Sequence, residues 1–186
     1  MLKACAEGNL REVKALVSSG CDVNTTGDYY DNTGLMCALE RRHSAVAEYL
    51  LSLPSIDVHK SNDYGQTCLH CAARGGASPA LVRTILSKMR PDTVNTKDSD
   101  GRTALATAVM CNQLSIVSIL GTTPYVLWDR EYLETIARYV LCILYTHCTH
   151  YTHTHTHTHQ ALERNPHRYQ GSEAATINTL IKQIKQ

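Results

Sequence analysis

Residues 67–73 read Thr-Cys-Leu-His-Cys-Ala-Ala, and a glycine at position 76 and a second apolar segment follow them. Related stretches begin at Thr33, which opens Thr-Gly-Leu-Met-Cys-Ala, and at Thr103, which opens Thr-Ala-Leu-Ala-Thr-Ala. Thr33 and Thr67 are 34 positions apart, and Thr67 and Thr103 are 36 apart. Self-similarity at a period of this length is typical of repeat proteins, in which each unit packs on the next.

Each of the three threonines stands where a helix is expected to begin. A threonine hydroxyl at that position accepts a hydrogen bond from a backbone N–H of the first helical turn, which otherwise has no partner. Gly65 and Gly101 come two residues before their threonines and permit the positive φ of a tight turn. Gly8 and Gly76 would let a first helix end in a left-handed residue before the chain reverses.

A second helix is predicted in each unit, because apolar residues recur there with a period of 3.6. These residues are Val46, Tyr49 and Leu50, then Val82, Ile85 and Leu86, then Ile116, Ile119 and Leu120. One such pair of helices cannot enclose a core. Stability must therefore come from stacking each unit on its neighbour.

This pattern resembles the ankyrin repeat, whose Thr-Pro-Leu-His-x-Ala signature opens the first helix. The resemblance implies an all-α fold, an ankyrin-type α-solenoid of stacked helix-turn-helix repeats with short β-turn loops. Residues 4–24 read as the later part of an upstream repeat that ends in Asp22-Val23-Asn24. That exit recurs as Ile56-Asp57-Val58-His59 and as Thr93-Val94-Asn95.

Several positions depart from the repeat pattern. Asp31 stands where the turn glycine is expected. Arg42 and Asn112 stand where a glycine is expected to end the first helix of the repeat. Asparagine tolerates the left-handed region, whereas arginine does so less readily. The internal repeats also lack the proline that follows the threonine in the signature. We therefore expect these repeats to be less stable than idealised ones.

The chain divides by composition into three segments. Residues 1–145 are predicted to be the repeat domain, with about four repeats and a degenerate fifth whose Leu133 comes early for the register. Residues 146–171 are a linker of low complexity rich in threonine and histidine, and residues 172–186 are a predicted amphipathic helix. The apolar run 139–145 is far shorter than the roughly 20 residues that a membrane span needs.

The Thr-His tract supports an alternative function. Its alternating imidazoles, His153, His155, His157 and His159, are of a type that binds zinc, copper or nickel. The favoured interpretation is an insertion without fixed structure, because the composition has no packing logic. A second alternative is that the chain is a fragment of a larger ankyrin repeat protein, since it starts inside a repeat.

Charge and cysteine content indicate an intracellular, cytoplasmic protein. The 186 residues carry a formal net charge of +1, so neither a nucleic-acid surface nor a polybasic membrane patch is expected. The first residues lack the apolar core of a secretion signal. The eight cysteines include Cys5, Cys37 and Cys71 at helix-one positions, where packed thiols in a reducing compartment are expected.

Cys68 and Cys71 form a CxxC at a helix start, which is the spacing of a redox pair or of half a zinc site. The repeat frame accounts for both residues: Cys71 faces the core, and Cys68 replaces the proline of the signature. The sequence has no second CxxC that would complete a four-cysteine site. A structural role is therefore predicted, and the resemblance implies that His70 joins neighbouring turns by hydrogen bonds.

No catalytic motif is present. The sequence contains no GxSxG, no GxxxxGK, no HExxH and no dinucleotide-binding glycine loop. We therefore expect a non-enzymatic protein without a cofactor, a resident metal or a small-molecule substrate.

Because no catalytic motif is found, the expected function is recognition of another protein. The resemblance implies that the turn tips and the first helices form the contact surface. Tyrosine and arginine dominate binding hot spots. The partner-binding candidates of these two types are Tyr29, Tyr30, Arg41, Tyr64, Arg74 and Arg102. The wider set adds Asn32, Asn62, Gln66, Ser99 and Asp100 at the tips, and Glu40, Met110 and Cys111 on the first helices.

Overall fold

The structure, a computed structural model, describes residues 1–27 and 30–127 of the chain. The helices of this part are α1 (Leu2–Ala6), α2 (Leu10–Ser18), α3 (Gly34–Glu40), α4 (Ser44–Ser52), α5 (Cys68–Gly75), α6 (Pro79–Lys88), α7 (Pro91–Val94), α8 (Ala104–Met110) and α9 (Leu114–Gly121). Within the same residues, β pairing is limited to one isolated antiparallel bridge between Ser61 and Thr67. The all-α prediction is therefore confirmed for this part of the chain.

The helices pair as four repeats that stack in two rows. In one row, each first helix packs against the first helix of the next repeat, in the order α1, α3, α5 and α8. In the other row, each second helix packs against the next one, in the order α2, α4, α6 and α9. The short α7 follows the second helix of the third repeat. Residues 1–126 form one compact unit, as the predicted solenoid requires.

The core lies between the two rows and is built from the predicted apolar positions. Its largest fully buried aliphatic side chains are Leu35, Met36, Leu39, Leu50, Leu51, Leu69, Ile85, Ile116 and Leu120. In the predicted second-helix stripe, Tyr49 alone is half-buried and the other eight side chains are buried. Neighbouring repeats therefore share one continuous apolar interior.

The predicted helix starts are confirmed. The Thr33 hydroxyl oxygen accepts a hydrogen bond from the backbone N–H of Met36, and that of Thr103 accepts one from Ala106, both at 3.3 Å. At Thr67 the backbone N–H donates to Nδ1 of His70. Each threonine therefore begins its helix as expected, with His70 sharing the cap of α5.

The left-handed exit positions are also confirmed, including those without glycine. Residues Gly8, Arg42, Gly76 and Asn112 end the first helices with φ of 73°, 63°, 69° and 55°. In the turns, Asp31 has φ of 58°, close to the 68° and 74° of the corresponding Gly65 and Gly101. The repeat geometry therefore imposes a positive φ on an arginine, which favours negative values by roughly 1–2 kcal/mol.

Helix α7 was not predicted. Residues 93–95 were expected to be a loop, but Pro91 occupies the first turn of a short helix that Asp92 continues. Proline at the first helical position and an acidic residue beside it are a helix-start signal. This signal is present in the sequence, but the repeat pattern assigned these residues to a loop.

Residues 28–29 and 128–186 lie outside the described residues. The predicted fifth repeat, the Thr-His tract with His153, His155, His157 and His159, and the C-terminal helix all fall there, as does the candidate Tyr29. Within the part of the chain that is described, no helix has the combination of length and apolar character that crossing a membrane needs.

Candidate partner-binding surface

Two buried side chains shape the turn tips. The Asn62 side-chain oxygen accepts hydrogen bonds from the backbone N–H groups of Tyr64 at 3.0 Å and Gln66 at 2.9 Å. Asp98 does the same one repeat later, accepting from Asp100 at 3.0 Å and Arg102 at 2.8 Å. Each loop is thus folded around the side chain of one buried residue, which fixes the tip that follows it.

Backbone hydrogen bonds join one tip to the next. The N–H of Asp63 donates to the carbonyl oxygen of Tyr30 at 3.1 Å, and the N–H of Ser99 donates to that of Tyr64 at 2.8 Å. Both bonds connect equivalent positions of adjacent repeats. The tips therefore form a row whose spacing does not depend on the tip side chains.

Two predicted candidates meet on this row. The ring centroids of Tyr30 and Tyr64 are 5.3 Å apart, and the rings are tilted by 45°. The two residues are 43% and 46% exposed, although tyrosine carries a large apolar ring. This contact joins residues that are 34 positions apart in the sequence, and it places an aromatic patch on the surface.

The candidate arginines Arg74 and Arg102 lie in ion pairs. The Arg74 guanidinium is 3.0 Å from the Glu40 carboxylate and so joins α5 to α3. Arg102 is 2.8 Å from Asp100 at the tip of its own loop. Arg41 is exposed at the C-cap of α3, next to Glu40.

Glu40, Arg74 and Met110 occupy equivalent positions, seven residues after their threonines. Met110 is 40% exposed. The row of first helices thus presents an acid, a base and an apolar side chain in succession.

Three of the wider candidates lie inside the turns. Asn32, Asn62 and Gln66 are buried, and the Asn62 amide donates to the Asn32 side-chain oxygen at 2.9 Å. Their polar groups are used to build the loops, so they are not available to a partner. Sequence position alone could not separate them from their exposed neighbours, because all of them belong to short polar turns.

His70 joins the third repeat to the fourth, as the resemblance implied. Its Nδ1 accepts from the N–H of Thr67 at 3.2 Å, and its Nε2 donates to the carbonyl oxygen of Arg102 at 3.0 Å. An N–H can only donate and a carbonyl can only accept, so the ring is neutral with its proton on Nε2. Burial lowers the pKa of His70, which favours the same neutral form.

The structure supports the structural interpretation of the CxxC. Cys68 and Cys71 are buried, and the Cys68 thiol donates to the carbonyl oxygen of Val58 at 3.2 Å. Burial, with Asp57 nearby, raises the pKa of Cys68 to about 12, and burial also raises that of Cys71. Protonated thiols are poor nucleophiles and poor metal ligands. Among the residues that the structure describes, no group of three or more potential ligands is placed to hold a metal ion.

The asparagines of the exit segments form side-chain links between repeats that the sequence analysis did not predict. Asn24 donates to the carbonyl oxygen of Ser55 at 2.7 Å and accepts from the N–H of Asp57 at 2.8 Å. Asn95 donates to the carbonyl oxygen of Tyr125 at 2.8 Å. The recurrence of asparagine at the exits was the available signal for this role.

Comparison with known families agrees with the repeat assignment. A family model described as ankyrin repeats (many copies) matches residues 1–51, and one described as ankyrin repeats (3 copies) matches residues 53–124. Together the two matches span more than half of the 186 residues. No curated protein sequence matches the chain.

Proposed function

Because the chain belongs to the ankyrin repeat family, we propose that it is a non-enzymatic scaffold or adaptor that binds a partner protein. Ankyrin repeats generally mediate protein–protein interaction, and domains of this family are typically not enzymes. The partner binds the concave surface made by the turn tips and the first helices. Its contact residues are Tyr30, Arg41, Tyr64, Arg74 and Arg102, together with Tyr29.

The observation that carries this proposal is the exposed Tyr30–Tyr64 pair on a row of tips already tied together by backbone bonds. Exposed aromatic side chains supply large contact area at low cost in conformational entropy. A surface that is rigid before binding loses less freedom when the partner arrives. The row therefore offers both contact area and pre-organisation.

Two ion pairs on the first helices and the tips add specificity to the proposed surface. Glu40–Arg74 and Arg102–Asp100 are partly exposed, so each is worth little to stability by itself. A partner that presents a cation to the acidic member and an anion to the arginine gains electrostatic attraction from both members of each pair. Such charges at the rim of an interface mainly select partners and speed their association.

We also propose an intracellular, cytoplasmic location. Its support is that Cys5, Cys21, Cys68, Cys71 and Cys111, five of the cysteines that the structure describes, form no disulfide. Disulfides persist in oxidising compartments and are rare in the cytosol.

Site-specific photo-crosslinking tests the proposed surface. A photoreactive amino acid is placed at Ser99 on the tips or at Met110 on α8, and at the exposed control positions Glu48 of α4 and Arg83 of α6. Partner adducts in cell extract are then identified by mass spectrometry. We expect one partner to be captured from Ser99 and Met110 and to be absent from both control positions. Capture of the same partner only from Glu48 or Arg83 would move the binding surface to the second helices.

A further inference from the structure

An aspartate adjoins each tyrosine of the aromatic patch in the sequence. Asp31 follows Tyr30, and Asp63 precedes Tyr64. The backbone bond from Asp63 to the carbonyl of Tyr30 brings the second carboxyl-bearing residue next to the first tyrosine. Asp63 is exposed and Asp31 is half-buried. Two carboxylates thus accompany the Tyr30–Tyr64 rings.

Two cations of the neighbouring loops, Lys60 and Arg102, contact groups outside the patch. The Lys60 ammonium donates to the carbonyl oxygen of Asn24 at 2.9 Å, and the Arg102 guanidinium pairs with Asp100 at 2.8 Å. Neither contact involves Asp31 or Asp63. The patch therefore combines two ring faces rich in π electrons with negative charge, which favours a positively charged occupant.

The chain already contains one contact of this chemistry. The Lys14 ammonium lies 5.3 Å from the ring centroid of Tyr49, which is within the range of a cation–π interaction. That ring has a cation from its own chain. The Tyr30–Tyr64 pair has an aromatic neighbour and acidic neighbours, and it leaves more than two-fifths of each residue exposed.

We infer that the Tyr30–Tyr64 patch, with Asp31 and Asp63, binds a cationic side chain of the partner protein, arginine in preference to lysine. This inference rests on the proposed function and adds the chemistry of the partner. A guanidinium stacks on an aromatic ring and donates to a carboxylate at the same time, whereas an ammonium is a compact and strongly hydrated charge. The occupant is thus a basic segment of a protein, with one anchoring arginine.

A selection experiment tests the inference on the full chain. Peptides from a random library are selected on the wild type and, in parallel, on Tyr64→Ala. We expect the peptides enriched only on the wild type to share one fixed arginine, and a shared lysine in its place would overturn the preference for a guanidinium. Replacing that arginine by citrulline, which keeps the shape and removes the charge, is expected to weaken binding at least tenfold.

Three variants identify the groups that hold the cation. Tyr64→Phe keeps the ring and is expected to bind such a peptide within about twofold of the wild type. Asp63→Asn removes the charge and is expected to weaken binding severalfold, with a smaller dependence on salt. Tyr49→Ala removes a tyrosine that already contacts Lys14, and it serves as the matched control with unchanged binding.

The outcomes separate this inference from the proposed function. Enriched peptides that require Tyr64 but share an acidic or apolar residue would overturn the cationic anchor and leave the binding surface in place. If no peptide distinguishes the wild type from Tyr64→Ala, both the anchor and the assignment of the surface are wrong.

Discussion

Nε2 of His70 lies 3.0 Å from the carbonyl oxygen of Arg102, and this bond crosses from the third repeat to the turn of the fourth. The same ring accepts from Thr67, so one buried side chain caps α5 and holds the next repeat. Protonation would place a second donor against the Thr67 N–H. The junction between these repeats therefore requires the neutral imidazole.

We predict that His70 makes stability fall in mild acid. Burial lowers its folded-state pKa and outweighs the hydrogen bond to Arg102 and the charge of Asp98, which raise it; Arg74 lowers it further. In the unfolded chain the ring titrates near its ordinary value of 6.5. The unfolded state thus binds more protons below that pH, so the contribution is complete above pH 6.5 and is lost as the pH falls.

Urea unfolding of the wild type and His70→Gln at several pH values from 7.5 to about 5 measures this effect. The difference in unfolding free energy between the two chains isolates His70 from the other histidines. We expect the wild type to lose stability relative to His70→Gln as the pH decreases. A constant difference would show that His70 does not titrate differently on folding.

Gly75→Ala is predicted to destabilise the chain by about 1–3 kcal/mol, the range typical of overpacking. A Cβ at Gly75 would overlap the carbonyl oxygen of Leu39, because α5 lies directly against the end of α3. Glycine to alanine inside a helix ordinarily stabilises by about 1 kcal/mol, so the sign of the change is diagnostic. Thermal and denaturant unfolding measure it. A stabilised Gly75→Ala would contradict the close approach of the two helices.

Arg42→Gly is predicted to stabilise the chain by about 1 kcal/mol, since arginine is held at a φ of 63° that glycine adopts freely. The matched control is Arg41→Gly. Arg41 is also exposed but has φ of −91°, so its replacement removes a side chain without relieving strain. Denaturant midpoints of the two variants distinguish them. The prediction is wrong if both variants lose the same stability.

The cysteines are predicted to divide by reactivity. Burial raises the pKa of the Cys68 thiol to about 12, so almost no thiolate forms at pH 8. Burial protects Cys5, Cys37 and Cys71 from reagents as well, whereas Cys21 is exposed. Among the cysteines of residues 1–27 and 30–127, alkylation followed by peptide mass spectrometry is expected to label Cys21 first and the buried four only on unfolding. Rapid labelling of Cys68 and Cys71 in the folded chain would revive the redox interpretation.

The repeat frame predicted backbone conformation better than residue type did. Asp31, Arg42 and Asn112 are left-handed because the position in the repeat demands it, even though only asparagine and aspartate tolerate that region well. The repeat period therefore predicted the positive φ of these turn residues, for which residue type alone was weak evidence. Helix α7 shows the reverse, since its proline start signal was local and the frame gave no place for it.

The surface was predictable as a set of positions and not as a set of contacts. Tyr30 and Tyr64 were both candidates, but their 5.3 Å contact depends on how two repeats stack. The same is true of the 3.0 Å Glu40–Arg74 ion pair. Burial of Asn62 followed from the loop folding around its side chain, which sequence spacing does not reveal.

The affinity of the photo-captured partner for the wild type and for Tyr64→Ala tests the central claim most directly. The backbone bonds of Tyr64 to Asn62 and Ser99 survive in alanine, so the variant is expected to fold and to lose only the aromatic pair, worth about 0.5–1.5 kcal/mol, and the area that the half-exposed ring buries. The account predicts that calorimetric titration gives an affinity at least about tenfold weaker for the variant, which corresponds to 1.4 kcal/mol. An unchanged affinity in a folded variant would contradict the assignment of the Tyr30–Tyr64 patch as the binding surface.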